Sequence, residues 1–316
     1  MVTRGDGTPL VFAIGMRTRF RGIEVREGVL LRGRAGWGEF SPFWDYDAAE
    51  CVPWLRAARE AADEGWPAAV RTSVPVNCTI PAVGPEAAQA VVAASAGCRT
   101  AKIKVAEPGQ TEADDLARVE AVRDALGPGG RIRVDANGLW DVDTAVRMTR
   151  LLDKAAGGLE YVEQPCRTVE ELAVVRAHIE VPVAADESIR RAADPYRVVE
   201  LDAADVAVLK VQPLGGVRAC LEIAARIGLP VVVSSALETS VGISAGLALA
   251  AALPELPYAC GLATGALLTG DVVDAPFTVV DGALPVARPE LAEVPAAAPE
   301  TMARWTERLA AVEALA

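Results

Sequence analysis

Six side chains in this chain have the types and spacing to run carbanion chemistry. Lys102 and Lys104 flank Ile103, Asp135, Glu163 and Asp186 follow in turn, and Lys210 comes last. Each lies near the end of a short apolar run. In Arg131–Gly138, Ile132, Val134 and Ala136 share one face of a period-two strand, and Arg133, Asp135 and Asn137 share the other. The same alternation sets Ile103, Val162, Ala185 and Leu209 opposite the charged set. Taken singly, an aspartate at a strand end reads as a turn residue and a lysine as a solvated one. Recurrence on successive strands points instead to a site. Three carboxylates cannot share a dry site unaided, because like charges raise one another's pKa until some protonate. A divalent cation resolves the conflict, and all-oxygen donors without His or Cys favour Mg²⁺. Asp135, Glu163 and Asp186 are therefore the expected ligands, while Glu187 points away from Asp186 and stays outside the set.

The lysines supply the other half of the chemistry. At its ordinary pKa of about 10.4 a lysine is a poor base at neutral pH, and a second ammonium or a nearby dication lowers that value. Lys102 beside Lys104 provides such a neighbour. The expected task is to remove a proton next to a carboxylate and to stabilise the resulting enolate, with Lys104 and Lys210 as catalytic groups and Lys102 in support. Asn137 and Gln212 share the inward parity. They are candidates to orient substrate or metal waters, or are ordinary structural contacts.

These residues need elements to position them. From Val74 onward, strand and helix patterns alternate. Strands are expected at Val74–Ile80, Thr100–Val105, Arg131–Asn137, Leu159–Gln164, Pro182–Glu187, Asp205–Gln212, Pro230–Ser235 and Tyr258–Leu262. The helices between them carry N-terminal signals such as Asp141 with Thr144 and Thr168 with Glu171. Eight strands in unbroken alternation favour a closed parallel barrel, whose functional groups sit at the carboxyl ends of the strands. The second and sixth strands then face each other, setting Lys104 and Lys210 on opposite sides of the mouth. Before the barrel, short glycine-split runs between residues 9 and 40 read as an antiparallel meander, followed by a helix over Asp47–Glu64 that Pro53 interrupts. Residues 15–28, rich in glycine and charge, are the candidate lid. After the barrel come a β-like stretch, Asp271–Val286, a Pro/Ala-rich segment and a helix over Pro299–Leu315. The fold class expected is a (β/α)7β-type TIM barrel with an α+β capping domain: residues 1–73 begin the cap, 74–270 form the barrel and 271–316 return to the cap.

Composition narrows the partners. The 316 residues are 52% apolar and 23% charged, enough for a large core, and carry a net charge of −12. That balance disfavours nucleic acid and anionic membranes and suits a small-molecule substrate. Six scattered cysteines without a CxxC pair read as buried reduced thiols, which with the lack of a signal-peptide pattern points to the cytoplasm. Val241–Ala263 is the longest apolar region, but Pro254, Glu255 and Pro257 break it; it reads as a buried helix and strand, not a membrane span. His178 is the lone histidine, expected at a helix end on the surface, so multi-histidine zinc sites are excluded. No oligomeric state follows from the sequence.

Lys102-Ile103-Lys104 resembles the KxK motif of the enolase superfamily's muconate-lactonizing subgroup. Lys210 resembles its lone sixth-strand lysine, and Asp135, Glu163 and Asp186 its metal ligands. Within that subgroup, Arg17–Gly22 leading to Gly36–Pro42, and Ser234–Gly242, are similar to segments of the o-succinylbenzoate synthases. The second segment is unlike the Gly-Gly-Met type of the acylamino-acid racemases. Gly261–Gly265 lacks the Asp-x-Asp of the dipeptide epimerases. The resemblance implies a Mg²⁺-dependent syn-dehydration in menaquinone biosynthesis, on a cyclohexadiene carboxylate bearing a hydroxyl and a succinyl group. It implies Lys104 as the base, Lys210 as a cation against the intermediate, and Ser235 and Thr264 as candidates for the succinyl end. Racemisation of N-acylamino acids on the same site is the alternative.

Overall fold

The structure, a computed structural model, describes residues 10–292, 294 and 297–316. Part of the Pro/Ala-rich segment and the first nine residues of the expected cap lie outside the described residues. The chain opens with β1 (Leu10–Phe20), β2 (Ile23–Gly33) and β3 (Gly36–Phe40), an antiparallel sheet in that order. The meander was expected to break at Gly28, yet β2 runs through it. A Cβ at Gly28 would stand 2.6 Å from Ser41 Cβ and 2.7 Å from the Phe12 ring, so glycine serves close packing there and not a turn. Residues 15–28 form the β1–β2 hairpin end, whose tip, Arg21-Gly22, takes left-handed backbone with φ of 52° and 77°. The expected helix from Asp47 begins only at Val52, with Pro53 in its first turn, where the missing N–H has no helical partner to lose. It closes in a π-helical turn, Glu60–Glu64.

What reads as one strand, Val74–Ile80, is two: β4 (Ser73–Pro75) and β5 (Cys78–Ile80). The second starts a parallel seven-stranded sheet continued by β6 (Thr100–Lys104), β7 (Arg131–Asp135), β8 (Tyr161–Glu163), β9 (Val183–Ala185), β10 (Val206–Leu209) and β11 (Val231–Val233). A last strand, β12 (Ala283–Pro285), pairs antiparallel with β4, so part of the stretch after the barrel stays with the barrel, and Leu284 lies in its core. The expected eighth strand, Tyr258–Leu262, contributes isolated parallel bridges from Cys260 to Val76 and from Gly261 to Ser234. The sheet is curled, with a TIM-barrel-like arrangement beneath a cap.

Alternation sorts the strand residues into two layers. Ile103, Val134, Val162, Ala185 and Leu209 pack between sheet and helices. Tyr161, Ala184, Val206, Val208 and Val232 form a separate inner cluster. Arg133 lies over the Tyr161 ring at 4.7 Å, and Tyr161 meets Tyr258 edge-on at 5.9 Å. Arg133 and Tyr161, both buried, fill the interior below the charged strand ends, with half-buried Tyr258 against them. Helix starts follow the local signals: Asp141 accepts from the Thr144 amide, and Thr168 with Glu171 forms a capping box. The C-terminal helix Pro299–Glu313 sends Trp305, Leu309 and Val312 into a core shared with Phe40, Trp54 and Leu55. Ala236 and Leu237, from the far side of β11, join that same core. His178 is exposed, its ring Nδ1 2.7 Å from the Val174 carbonyl. No helix among the described residues is long and apolar enough to cross a membrane.

Candidate active site

Register brings the charged residues together. Lys104 pairs across the sheet with Asp135, and Asp135 with Glu163, so the three side chains leave neighbouring strands at one level and on one face. Asp186 and Lys210 come directly after β9 and β10. All six candidates are buried, the lysines at 6–7% exposure and the carboxylates at 0–1%. Lys102 Nζ donates to both oxygens of Glu163, at 2.8 and 2.9 Å, and stands 3.0 Å from Asp135 Oδ2. Lys104 Nζ is 2.7 Å from the same Oδ2 and also donates to Asn137 Oδ1. Lys210 Nζ is 2.7 Å from Asp186 Oδ2, and Arg190 Nε donates to Asp186 Oδ1 at 2.8 Å.

Burial disfavours every charge here, and the neighbours decide the outcome. Burial raises the Glu163 carboxyl to about 7, with the Asp135 charge adding to the rise against Lys102. At Asp135, burial opposes ionisation, but the Lys102 and Lys104 ammoniums hold the carboxyl well below its usual range. At Asp186, burial is likewise overcome by Arg190 and Lys210, and the carboxyl is lowered. Lys102 is raised well above the ordinary lysine value because Asp135 and Glu163 outweigh its burial. Lys210 is lowered, chiefly by burial, with Arg190 and Lys102 adding to the effect against Asp186.

The donors fit a hard dication. Three buried carboxylates from consecutive strand ends already cradle cationic nitrogen, and none of their partners is a His or Cys. Among the described residues no three acids converge as a ready metal cluster. The ammoniums stand between them, and a metal would take over contacts that the lysines now make.

The strand ends open into a cavity beneath the cap. Its wall includes Phe20, Arg21 and Phe43 from the cap, then Lys102, Lys104, Asp135, Asn137, Arg190 and Lys210, and finally Ser234–Leu237, Gly261 and Thr264. The Phe20 ring centroid lies 5.5 Å from Lys104 Nζ. Ser235 and Thr264 share a hydrogen bond of 2.7 Å in this wall. Gln212 does not reach the cavity; its amide donates to the Gly242 carbonyl. Strand geometry stops at Leu209, so the two-residue parity that carries Lys210 inward no longer holds at Gln212. Glu187 opens a short helix, Glu187–Arg190, instead of continuing the strand. Its Oε1 accepts from Arg190 and Asn137, and its Oε2 is buried without a partner.

Sequence reasoning missed two contributors. Arg190 holds Asp186 and contacts the Tyr46 hydroxyl from the cap. Gln164 accepts from the Asp186 and Ser188 amides and so sets the start of that short helix. Its φ of +40° is uncommon for a non-glycine residue and places it just past a strand end, where such conformations gather. Phe20, inside the candidate lid of residues 15–28, reaches the site through the tertiary approach of the hairpin. The available signals were a polar residue after Glu163 and an arginine one helical turn after Asp186.

Residues 11–62 match the model of the enolase N-terminal domain-like family, and residues 85–291 that of the enolase C-terminal domain-like family. The chain is 66% identical over 308 residues to the o-succinylbenzoate synthase of Thermobifida fusca (strain YX), covering 97% of this chain and 96% of that protein. It is 56% identical over 309 residues to the o-succinylbenzoate synthase of Mycolicibacterium smegmatis, covering 96% and 95%. Its fold is similar to that of a muconate lactonizing enzyme from Pseudomonas fluorescens, with a TM-score of 0.77 at 23% identity over 94% of this chain and 97% of the other. An L-Ala-D/L-Glu epimerase from Bacillus subtilis gives a TM-score of 0.76 at 23% identity over 92% and 98%. Domain matches along the chain and relatives matched over almost their full length agree: the chain belongs to the enolase superfamily, in its o-succinylbenzoate synthase family.

Proposed function

We propose that this chain is a carbon–oxygen lyase that dehydrates a hydroxylated, succinyl-bearing cyclohexadiene carboxylate to o-succinylbenzoate, the menaquinone-pathway step its relatives are named for. The observation that carries the reading is the pair of buried lysines, Lys104 on β6 and Lys210 just past β10, flanking three buried carboxylates at the barrel mouth. We read the barrel as (β/α)7β, residues 74–270 with β12 (Ala283–Pro285) packed on it, and the cap as formed by 1–73 together with the returning helix Pro299–Glu313. Six buried, unpaired cysteines favour a reducing, cytoplasmic setting.

Lys104 removes the proton alpha to the ring carboxylate and returns it to the departing hydroxyl on the same face. The ring carbon bearing the carboxylate loses its proton and its neighbour loses the hydroxyl; a double bond forms between them, water leaves, and the ring becomes aromatic. Asp135, Glu163 and Asp186 would hold a divalent cation, Mg²⁺ by the chemistry of the donors. When bound, that cation supplies positive charge against the charge developing on the substrate carboxylate. Lys210 faces the anionic intermediate as a second cation. Lys102 helps keep Asp135 ionised, opposes the rise of the Glu163 carboxyl and aligns both acids, and Asn137 orients Lys104. Ser235 and Thr264 meet the succinyl end. The floor of buried Arg133 and Tyr161, with half-buried Tyr258 against them, limits entry of solvent from below.

N-Acylamino acid racemisation would use the same two lysines as opposed bases. Purified protein with Mg²⁺, assayed on both substrates, separates the two: dominant dehydration is expected, and dominant racemisation with negligible dehydration would overturn the lyase assignment.

A further inference from the structure

A buried ionic clasp joins the cap to one wall of the cavity, and no step of the chemistry uses it. Arg26 on β2 donates through Nε to the Leu237 carbonyl at 2.9 Å and through its terminal nitrogen to the Ala236 carbonyl at 3.2 Å. Glu39 on β3 takes the other end of the same turn, accepting from the Thr239 amide at 3.1 Å and the Gly242 amide at 3.0 Å. Ser41 links the two, donating to Glu39 at 2.7 Å and accepting from Arg26 at 2.8 Å. Both charged residues are 2% exposed.

The turn they grip is unusual. Leu237 has φ of +68°, a left-handed conformation that costs a branched side chain on the order of 1 kcal/mol or more and persists only when its surroundings enforce it. Gly242 is required as well: a Cβ there would come within 2.4 Å of Glu238 Cβ and 2.8 Å of Glu39 Oε2. Glu39 also lies at the N-terminus of the helix Ser240–Ala252, where the helix dipole favours an anion. Ala236 and Leu237 line the cavity beside Ser235, beyond the lysines and carboxylates of β6 to β10. Within the turn Glu238 accepts from the Ala236 amide at 2.9 Å, and from the cap the wall is shaped by two residues that never reach the cavity chemistry themselves.

We propose that Arg26 and Glu39 are positioning residues that set the wall Ser235–Leu237, and through it the fit of the part of the substrate remote from the carbon that loses its proton. The assignment of that wall to substrate rests on the dehydration reading. Contacts of this kind are equally strong in ground and transition states, so their loss appears in KM.

Arg26→Lys, Glu39→Gln and Leu237→Gly should each raise KM about tenfold, the worth of one charge-assisted hydrogen bond, with kcat within about twofold and Mg²⁺ activation unchanged. Leu237→Gly keeps the backbone acceptor of the clasp and relaxes the turn, at the cost of the Leu237 side chain in the cap core, so it tests the wall even if an Arg26 variant fails to fold. Amide exchange of residues 236–242, measured without substrate, should accelerate at least about tenfold in Glu39→Gln. Unchanged KM in the folded variants, a fall in kcat at constant KM, or unchanged exchange would overturn the proposal. An unaltered chain that does not dehydrate the substrate would instead strike the reaction assignment, and the clasp would then stand or fall on the exchange measurement.

Discussion

Lys102 Nζ lies 2.8 Å from Glu163 Oε1 and 3.0 Å from Asp135 Oδ2, so one ammonium is shared between two acids that register has forced side by side. This lysine is structural and electrostatic before it is anything else. Without it, two adjacent buried carboxylates would have to share a proton or recruit another cation.

Replacing either acid tests this directly. Glu163→Gln or Asp135→Asn should cut turnover by about a hundredfold or more, a size typical of losing a preorganised charge at an active site. Mg²⁺ binding, followed by calorimetry, should weaken in parallel. Undiminished turnover would mean that the ligand set is misassigned.

Lys104→Arg keeps a cation opposite Asp135 but supplies no base. Turnover should fall by about 10² to 10⁴, the usual worth of general-base catalysis, while the circular dichroism spectrum is retained. Activity close to that of the unaltered chain would move the base elsewhere, with Lys210 the first place to look.

Chelation offers a test without mutation. Removing divalent metal with EDTA should abolish dehydration, and Mg²⁺ should restore it. The melting temperature should also rise with added Mg²⁺, because a ligand that binds only the folded state stabilises it by mass action. Full activity in excess chelator would contradict the cofactor assignment.

Burial lifts the Glu39 carboxyl from its ordinary 4.5 to about 7, against the pull of Arg26. Between those values the folded chain keeps a proton that the unfolded chain releases. The contribution of this group to stability is therefore complete below 4.5 and is lost as pH rises to about 7. Glu39→Gln cannot ionise, so its stability relative to the unaltered chain should improve across that window. Denaturant titrations at several pH values would show it, and parallel curves for the two proteins would refute it.

The returning helix can be tested at Trp305, which is 1% exposed and meets Phe40 edge-on at 6.1 Å. Trp305→Ala should destabilise the chain by about 3–5 kcal/mol, the usual cost of truncating a large buried aromatic. A loss below about 1 kcal/mol would show that the C-terminal helix is not part of the cap core.

Much of this protein is written in local pattern. Period-two alternation alone put Ile103, Val134, Val162, Ala185 and Leu209 against the helices, and with them the six charged residues on the opposite face, because side chains on a strand have no third direction. Helix starts at Asp141 and Thr168 were legible for the same reason, since a cap is satisfied by residues three apart. Where strands end was not legible. Gln212 follows Lys210 by two residues yet turns away, and Glu187 begins a helix, because alternation carries no information once the ladder of hydrogen bonds stops. The segment 15–28 was legible as a candidate lid, but tertiary structure alone decided which side chains meet at the mouth. Arg190 reaching Tyr46, Phe20 lying over Lys104, and Arg26 with Glu39 gripping the turn at Leu237 all join segments far apart in the chain. Their partners are chosen by how the cap docks on the barrel, and no spacing within one segment encodes that approach.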